Sequence, residues 1–352
     1  MVYEIILKPS AQKDLNRLPD KDVIRLSKRI DQLSALLKNG EILMKNIIMI
    51  LMFSILYFSQ IRAEEVSILV NGCNLKGTLE VPESKQPVEV ALIIAGSGPT
   101  DRDGNNRLIG NNNSYKMIAD LLLKNGIASL RYDKRGIGAS DKVDESGVIF
   151  DTFINDAVEW VKYLKKDKRF SKIIIIGHSE GSLIGMIAAK QAVANKYISL
   201  NGAGKPIYKI LDEQIIKNKL PEDLLKQYKS IMDSLKQGNL VKNVPSAFLS
   251  LFRPSVQPYL ISWFKYDPCA EISKLAIPIL IIGGNTDIQV DVEDAQLLSK
   301  SNKNAELAII ENMNHILKEV PTSDRAINIQ SYSNPELALS EELCKKLIEF
   351  LK

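Results

Sequence analysis

Between residues 66 and 352, short apolar runs alternate with longer segments of helical periodicity. Four consecutive isoleucines at 173–176 are typical of a strand buried on both faces, as in the middle of a parallel sheet. A helix-forming run with small residues, 183–189, follows after only a short turn. Because this order of strand and helix recurs along the chain, the pattern predicts a doubly wound α/β fold with a mostly parallel sheet.

The other elements follow from the same periodicities. Residues 66–70 and 75–81 alternate in polarity around Asn71-Gly72, which indicates a β-hairpin. Further strands are predicted at 88–94, 127–132, 198–200, 277–282 and 307–310. Helices are predicted at 114–125, with Ser114 as the cap, at 153–165, at 292–301 and from Pro335 to the end of the chain.

The alternation stops between residues 204 and 263, where helical patterns replace the strands. Two predicted helices, 207–220 and 221–237, precede an apolar stretch that contains Phe248, Leu251, Phe252 and Tyr259. A helical insertion after a sheet strand is typical of a lid, and an excursion packed on the sheet edge is the alternative. As a lid, it predicts that these four side chains line a substrate pocket.

Residues 1–43 form a separate amino-terminal unit. Residues 2–7 have a strand pattern, and leucines, isoleucine and valine recur at helical spacing after Ser10. This segment resembles the start of RelE/ParE-type toxins. The later strands that carry those toxins' catalytic residues have no counterpart here, so the resemblance implies no toxin activity for this segment. An amphipathic hairpin without a function of its own is the alternative.

Residues 44–63 have the pattern of a secretory signal peptide. Lys45 precedes the apolar run 47–58, and the small residue Ala63 stands before an acidic start at Glu64. The run is shorter than the roughly 20 residues needed to span a bilayer. We expect a protein that starts at Met44 and matures at Glu64, with a secreted or periplasmic location and one α/β domain at 64–352. An uncleaved membrane anchor, which would give the chain a membrane contact, and a buried helix are the alternatives.

Composition narrows the class of protein. The chain has 352 residues, 25% of them charged, which is enough for one large α/β domain with an appendage. Its net charge of +4 is mild and its basic residues are scattered, so nucleic acid is not an expected partner. Cys73, Cys269 and Cys344 follow no metal-ligand spacing, and two histidines do not make a histidine-rich metal site. Neither a metal nor a cofactor is expected.

The turn after the isoleucine strand carries the candidate chemistry. Gly177-His178-Ser179-Glu180-Gly181 matches G-x-S-x-G between a strand and a helix, the pattern of a nucleophile elbow. Ser179 would occupy the strained apex, and glycines on both sides let the two elements pass closely. The main-chain N–H of Glu180 is a candidate oxyanion donor. The N–H of Ser97, in the polar glycine loop after strand 88–94, is the candidate second donor.

A serine nucleophile needs a base, and the base needs an acid that fixes its tautomer. His178 lies inside the elbow, where it would flank the nucleophile and the substrate pocket rather than take the proton. His315, in a loop after a strand, is the candidate base. Asp287, at the end of strand 277–282, completes the order Ser, Asp, His. Asp133 and Arg135, directly after strand 127–132, are interpreted as stabilising a turn, and a catalytic role is the alternative.

From about residue 66 to 352, the chain resembles the α/β-hydrolases, and more narrowly bacterial carboxylesterases related to the serine aminopeptidase-like hydrolases. The resemblance rests on AGSGPTDRDGN, RYDKRGIGAS, GHSEGS, YDP and the GGNTD strand end. It implies a serine hydrolase that cleaves small acyl esters, with Ser179, Asp287 and His315 as the triad. A peptidase, amidase or thioesterase on the same triad is the alternative activity. A toxin-derived RNA-binding module with a passive partner domain is the alternative of another class.

Overall fold

The computed structural model describes residues 62–217 and 219–352, together with residues 24, 28 and 29. Residues 61–352 form one compact unit. Apart from those three positions and the last two residues of 44–63, the predictions of a toxin-like segment at 1–43 and a signal peptide at 44–63 lie outside the described residues. In the part of the chain that is described, no helix is both long and apolar enough to cross a membrane.

A sheet of eight strands forms the centre of the described part, in the order β1-β2-β4-β3-β5-β6-β7-β8. The strands are β1 (Arg62–Val70), β2 (Cys73–Val81), β3 (Val88–Ile94), β4 (Ala128–Tyr132), β5 (Phe170–His178), β6 (Lys196–Leu200), β7 (Ile279–Gly284) and β8 (Ala305–Ile310). β2 pairs antiparallel with β1 and with β4, and all other neighbours are parallel. The predicted doubly wound, mostly parallel sheet is therefore confirmed.

Helices cover both faces of this sheet. They are α1 (Ser114–Lys124), α2 (Phe150–Lys166), α3 (Glu180–Gln191), α4 (Ile207–Lys217), α5 (Glu222–Lys236), α6 (Leu249–Phe252), α7 (Gln257–Trp263), α8 (Pro268–Ile272), α9 (Val292–Lys300), α10 (Arg325–Gln330) and α11 (Glu341–Leu351). In β5, Ile173 and Ile175 join the apolar cluster that includes α2 and α3, whereas Ile174 and Ile176 join the one that includes α1 and α11. Successive strand residues point to opposite faces, so four consecutive isoleucines in β5 fit a sheet that is covered on both sides.

The helices α4 to α7 form the predicted insertion, which we call the cap. They lie in the chain between β6 and α8. The cap has an apolar cluster of its own, with the buried side chains of Tyr228, Phe248 and Phe252 at its centre. This separate cluster lets the cap hold its shape by packing its helices on each other.

Two predicted helix starts differ from the structure. The Ser114 hydroxyl does not cap α1, because it donates to the carbonyl of Ile316 at 2.7 Å, and Asn113 occupies the cap position. The last helix begins at Glu341 rather than at Pro335. The reason is tertiary, since residues 335–337 form a turn and Leu339 then makes an antiparallel bridge with Lys318, which keeps this segment out of the helix. α10 has only six residues, too few for a helical period to be recognised in the sequence.

Candidate active site

Ser179 lies between the last residue of β5 and the first residue of α3. Its backbone has φ 54° and ψ −121°, a combination that L-residues rarely adopt and that costs on the order of 1–3 kcal/mol. A Cβ on Gly177 would overlap the backbone of Gly181, and a Cβ on Gly181 would overlap the carbonyl of Ile94. The structure therefore places Ser179 at the strained apex of a tight strand-to-helix turn, with the two glycines where backbone segments meet.

Asp287 and His315 meet at the carboxyl ends of β7 and β8. His315 Nδ1 is 2.7 Å from Asp287 Oδ2, and both side chains are buried. The other carboxylate oxygen of Asp287 accepts the main-chain N–H groups of Gln289 and Val290. A carboxylate held in this way receives the Nδ1 proton of the imidazole, which leaves His315 Nε2 as the basic nitrogen.

Asn201, directly after β6, connects the loops of Asp287 and His315 by hydrogen bonds. Its side-chain amide donates to the carbonyls of Asn314 and His315 at 3.0 and 3.1 Å, and its Oδ1 accepts the N–H of Gly284 at 3.0 Å. The sequence interpretation missed this residue. The only local signal was a polar side chain directly after a buried strand, and the contacts that give it a role are 83 and more residues away.

His178 is buried and makes two hydrogen bonds that define its tautomer. Nε2 is 2.7 Å from the carbonyl of His315, which can only accept, so Nε2 carries the proton. Nδ1 is then the acceptor for the Tyr115 hydroxyl at 2.7 Å. The pKa of His178 is lowered to about 3, mainly by burial and to a smaller extent by the nearby His315. A neutral imidazole with both nitrogens engaged is not available as a base, which agrees with the interpretation of His178 as a flanking residue.

Ser97 and Glu180 place two main-chain donors beside the nucleophile. A Cβ on Gly96 would lie 3.2 Å from the Cβ of Ser179, so the loop that carries Ser97 directly abuts the elbow. Ser97 lies outside the helices and strands, and no main-chain hydrogen bond of the described residues is donated by its N–H. Glu180 is the first residue of α3, where the N–H has no acceptor within the helix. Both groups remain free for an oxyanion.

A cavity of about 110 Å³ brings these residues together. Ser97, His178, Ser179 and His315 line it. The remaining lining residues are Gly96, Thr100, Gly104, Asn106, Ile109, Asn112, Ser114, Tyr115, Gln289, Ile316, Leu317 and Tyr332. The hydrogen bonds of the described residues do not include one between the Ser179 hydroxyl and the His315 ring, a contact that in unliganded enzymes often forms only with substrate.

The four cap residues predicted to line the substrate pocket do not line this cavity. Phe248 and Phe252 are buried in the apolar cluster of the cap, and Leu251 packs against that cluster. Tyr259 is connected to the site through Glu180, because its hydroxyl donates to the Glu180 carboxylate at 2.7 Å. The prediction was wrong for this cavity because the cap helices bury their aromatic side chains against one another.

Comparison with known proteins finds hydrolases and esterases. Residues 106–249 match the family model described as serine aminopeptidase, S33. Esterase EstD of Thermotoga maritima is 29% identical over 265 residues, which cover 72% of this chain and 60% of that protein. The chain therefore spans about 60% of the length of this curated relative.

Solved structures show the same fold. Est1E from Butyrivibrio proteoclasticus with ferulic acid bound superposes with a TM-score of 0.56 at 21% identity, covering 81% of this chain and 99% of that one. The Pyrococcus furiosus esterase Pf2001 gives 0.53 at 19% identity, covering 83% and 91%. The strand order, the elbow and these matches show that the chain has the α/β-hydrolase fold. The resemblance of residues 1–41 to RelE/ParE-type toxins is not supported by these matches.

Proposed function

We propose that the chain is a carboxylesterase that cleaves small acyl esters through an acyl-enzyme on Ser179. One observation carries the proposal: a serine on a strained turn shares a cavity with an imidazole whose Nδ1 is held by a buried carboxylate. That arrangement is the minimum that acyl transfer by a serine requires. The similarity to Esterase EstD supports an ester as the substrate.

In the proposed reaction, each group has a role. His315 Nε2 takes the hydroxyl proton of Ser179 as its oxygen attacks the ester carbonyl, and Asp287 stabilises the imidazolium that forms. The N–H groups of Ser97 and Glu180 bind the negative oxygen of the tetrahedral intermediate. His315 then returns the proton to the leaving alcohol, and a water activated by the same imidazole hydrolyses the acyl-enzyme.

The cavity restricts the substrate class. A volume of about 110 Å³ fits a short acyl group and leaves little room for a long one. Its described lining contains amide, hydroxyl and aliphatic groups but neither a carboxylate nor a lysine or arginine side chain. A charged acyl group would lose its hydration there without gaining a counter-charge. The proposed substrates are therefore esters of short, uncharged acids.

An aminopeptidase is the second candidate, since the matching family model carries that description. Such an enzyme must bind the α-ammonium group of its substrate, which buried sites do with a carboxylate. The described lining of this cavity supplies none, which favours esters over peptides with a free amino terminus.

Three assays on residues 64–352 test the proposal. p-Nitrophenyl acetate and butyrate report esterase activity, a panel of aminoacyl anilides reports peptidase activity, and a fluorescent fluorophosphonate reports a reactive serine. We expect turnover of the short esters, little turnover of the anilides, and labelling that Ser179→Ala abolishes. Anilide turnover that exceeds ester turnover would replace the esterase with the peptidase.

For the amino terminus, we propose that residues 44–63 direct export and are removed after Ala63. Removal there would cut only the first two residues from the nine-residue β1, and would retain Glu64, which pairs with Arg169. The expected location is secreted or periplasmic. Amino-terminal sequencing of exported protein should begin at or near Glu64. Recovery of an active exported species that still carries residues 1–43 would instead indicate a membrane-anchored enzyme.

A further inference from the structure

The peptide group between Gly96 and Ser97 is held on its carbonyl side by Lys134. The Lys134 ammonium donates to the Gly96 carbonyl at 2.6 Å. The described peptide bonds are all trans, so the carbonyl of Gly96 and the N–H of Ser97 point in opposite directions from the same plane. On the other side of Gly96, its own N–H donates to the Tyr115 hydroxyl at 3.1 Å. The direction of the Ser97 N–H is thus fixed from both sides.

The same lysine reaches the segment that carries the second donor. Lys134 Nζ lies 3.2 Å from Glu180 Oε1, and the two side chains are only 4% and 3% exposed. Glu180 contributes both this carboxylate and the main-chain N–H beside Ser179. Its other carboxylate oxygen accepts the Tyr259 hydroxyl from helix α7 of the cap. A single buried ion pair therefore connects the Ser97 loop, the nucleophile turn and the cap.

We propose that Lys134 is a positioning residue that sets the oxyanion hole of the esterase proposed above, and that its pair with Glu180 fixes the spacing of the two donors. Lys134 does not line the cavity. It acts through the peptide plane of residues 96 and 97, which it turns so that the N–H faces Ser179. The inference rests on the proposed function, because an oxyanion hole matters only if a tetrahedral oxyanion forms.

The positive charge of Lys134, as well as its position, contributes to the oxyanion hole. An ammonium group on the Gly96 carbonyl polarises the peptide, which makes the Ser97 N–H a stronger donor in a site of low dielectric. The carboxylate of Glu180 balances that charge, since burial of an ammonium without a counter-charge favours loss of its proton. Tyr259 completes the hydrogen bonding of the carboxylate, so a contact made by the cap supports the hole without touching substrate.

The test compares turnover with transition-state binding. Lys134→Met should lower kcat on the best short ester by about a hundredfold to a thousandfold, the cost of losing one oxyanion donor, with KM within about twofold of wild type. A trifluoromethyl ketone of the same acyl chain, which forms a tetrahedral adduct on the serine, should bind more weakly by a similar factor. Titration with a fluorophosphonate counts the competent active sites, so that kcat refers to folded enzyme.

Arg135→Met is the matched control. Arg135 is the neighbouring residue and forms a comparable buried pair with Asp156, but it contacts the carbonyl of Val70 rather than the site. We expect this variant to lose stability and to keep kcat per titrated site. Lys134→Met leaves Glu180 buried without a counter-charge, so the double variant Lys134→Met/Glu180→Gln removes both charges. It should recover stability relative to Lys134→Met but retain the low kcat.

The outcomes separate the two proposals. If Lys134→Met or the double variant matches wild type in kcat per titrated site and in ketone affinity, Lys134 has only a structural role and the inference is wrong. The same holds if Arg135→Met lowers kcat per site as much as Lys134→Met does. A wild-type chain that cleaves no ester and is not labelled at Ser179 overturns the proposed function, and with it this role of Lys134.

Discussion

The imidazole of His178 donates from Nε2 to the main-chain carbonyl of His315 at 2.7 Å. The residue that precedes Ser179 therefore supports the loop that carries His315. Tyr115 extends the connection, since its hydroxyl donates to His178 Nδ1 and accepts the N–H of Gly96. One chain of hydrogen bonds thus links the loop of His315, the turn at Ser179 and the loop of Gly96 and Ser97.

This link predicts an intermediate effect of His178 on turnover. His178→Ala removes the donor to the His315 carbonyl, and a shift of the base by about 1 Å costs on the order of a hundredfold. We expect kcat to fall by roughly tenfold to a hundredfold, whereas His178→Gln, whose amide can both donate and accept, should lose less. Ester kinetics on the three proteins tests this. Equal losses in His178→Gln and His178→Ala would show that the hydrogen bonds are not what matters.

The low pKa of His178 also predicts sensitivity to acid. The unfolded chain binds a proton at His178 below about pH 6.5, whereas the folded chain does so only near pH 3. Stability from this group is complete above pH 6.5 and is lost as the pH falls towards 3, by at most about 1.4 kcal/mol per pH unit. Urea unfolding between pH 7 and 4 should therefore show a shallower loss in His178→Gln than in wild type. Parallel curves would contradict it.

The triad makes the strongest prediction for activity. Ser179→Ala and His315→Ala should each lower kcat by about a millionfold, because either group alone leaves no activated nucleophile. Asp287→Asn should cost about ten thousandfold, since an amide would stabilise the wrong tautomer of His315. Ester hydrolysis per mole of folded protein is the measurement. Substantial turnover in His315→Ala, with loss of activity in His178→Ala, would reverse the assignment of the base.

The sequence predicts the residues at the ends of strands better than the contacts between loops. Ser179, Asp287 and His315 each follow a strand whose apolar run is visible in the sequence, and parallel strands bring their carboxyl ends to one edge. The contact of Lys134 with Glu180 spans 46 residues and depends on where two loops pack. Phe252 is apolar whether it faces a substrate or other cap helices, so its environment could not be predicted from periodicity.

Because the aromatic side chains of the cap pack on one another rather than line the cavity, truncating them should affect stability rather than substrate preference. Phe252→Ala should cost roughly 3–5 kcal/mol of stability, because the side chain is fully buried, and should leave the acyl-length profile unchanged. Tyr332→Ala and Ile109→Ala, which enlarge the cavity itself, should shift the preference towards longer acyl chains. Rates on p-nitrophenyl esters from two to eight carbons, with urea unfolding of each variant, measure both effects. A changed profile in Phe252→Ala alone would restore the cap as the acyl pocket.

Lys318, three residues after His315, predicts an increase of stability at alkaline pH. Its ammonium group is buried, donates to the carbonyl of Leu337 and lies 2.8 Å from the sulfur of Met117. No ion pair between Lys318 and a carboxylate occurs in the described part of the chain. Burial without a counter-charge lowers the pKa of Lys318 to about 8.

The sign of this effect follows from the protons bound in each state. Between pH 8 and 10.5, the unfolded chain keeps the Lys318 proton while the folded chain releases it, so stability from this group rises with pH across that window. Each unit of pKa difference corresponds to about 1.4 kcal/mol, which makes the whole gain at most about 3.5 kcal/mol. Lys318→Met removes the titration and keeps an unbranched apolar chain. Urea unfolding of both proteins from pH 7 to 10 should show wild type gaining stability relative to the variant, and a difference that stays constant with pH would mean that the lysine is charged throughout.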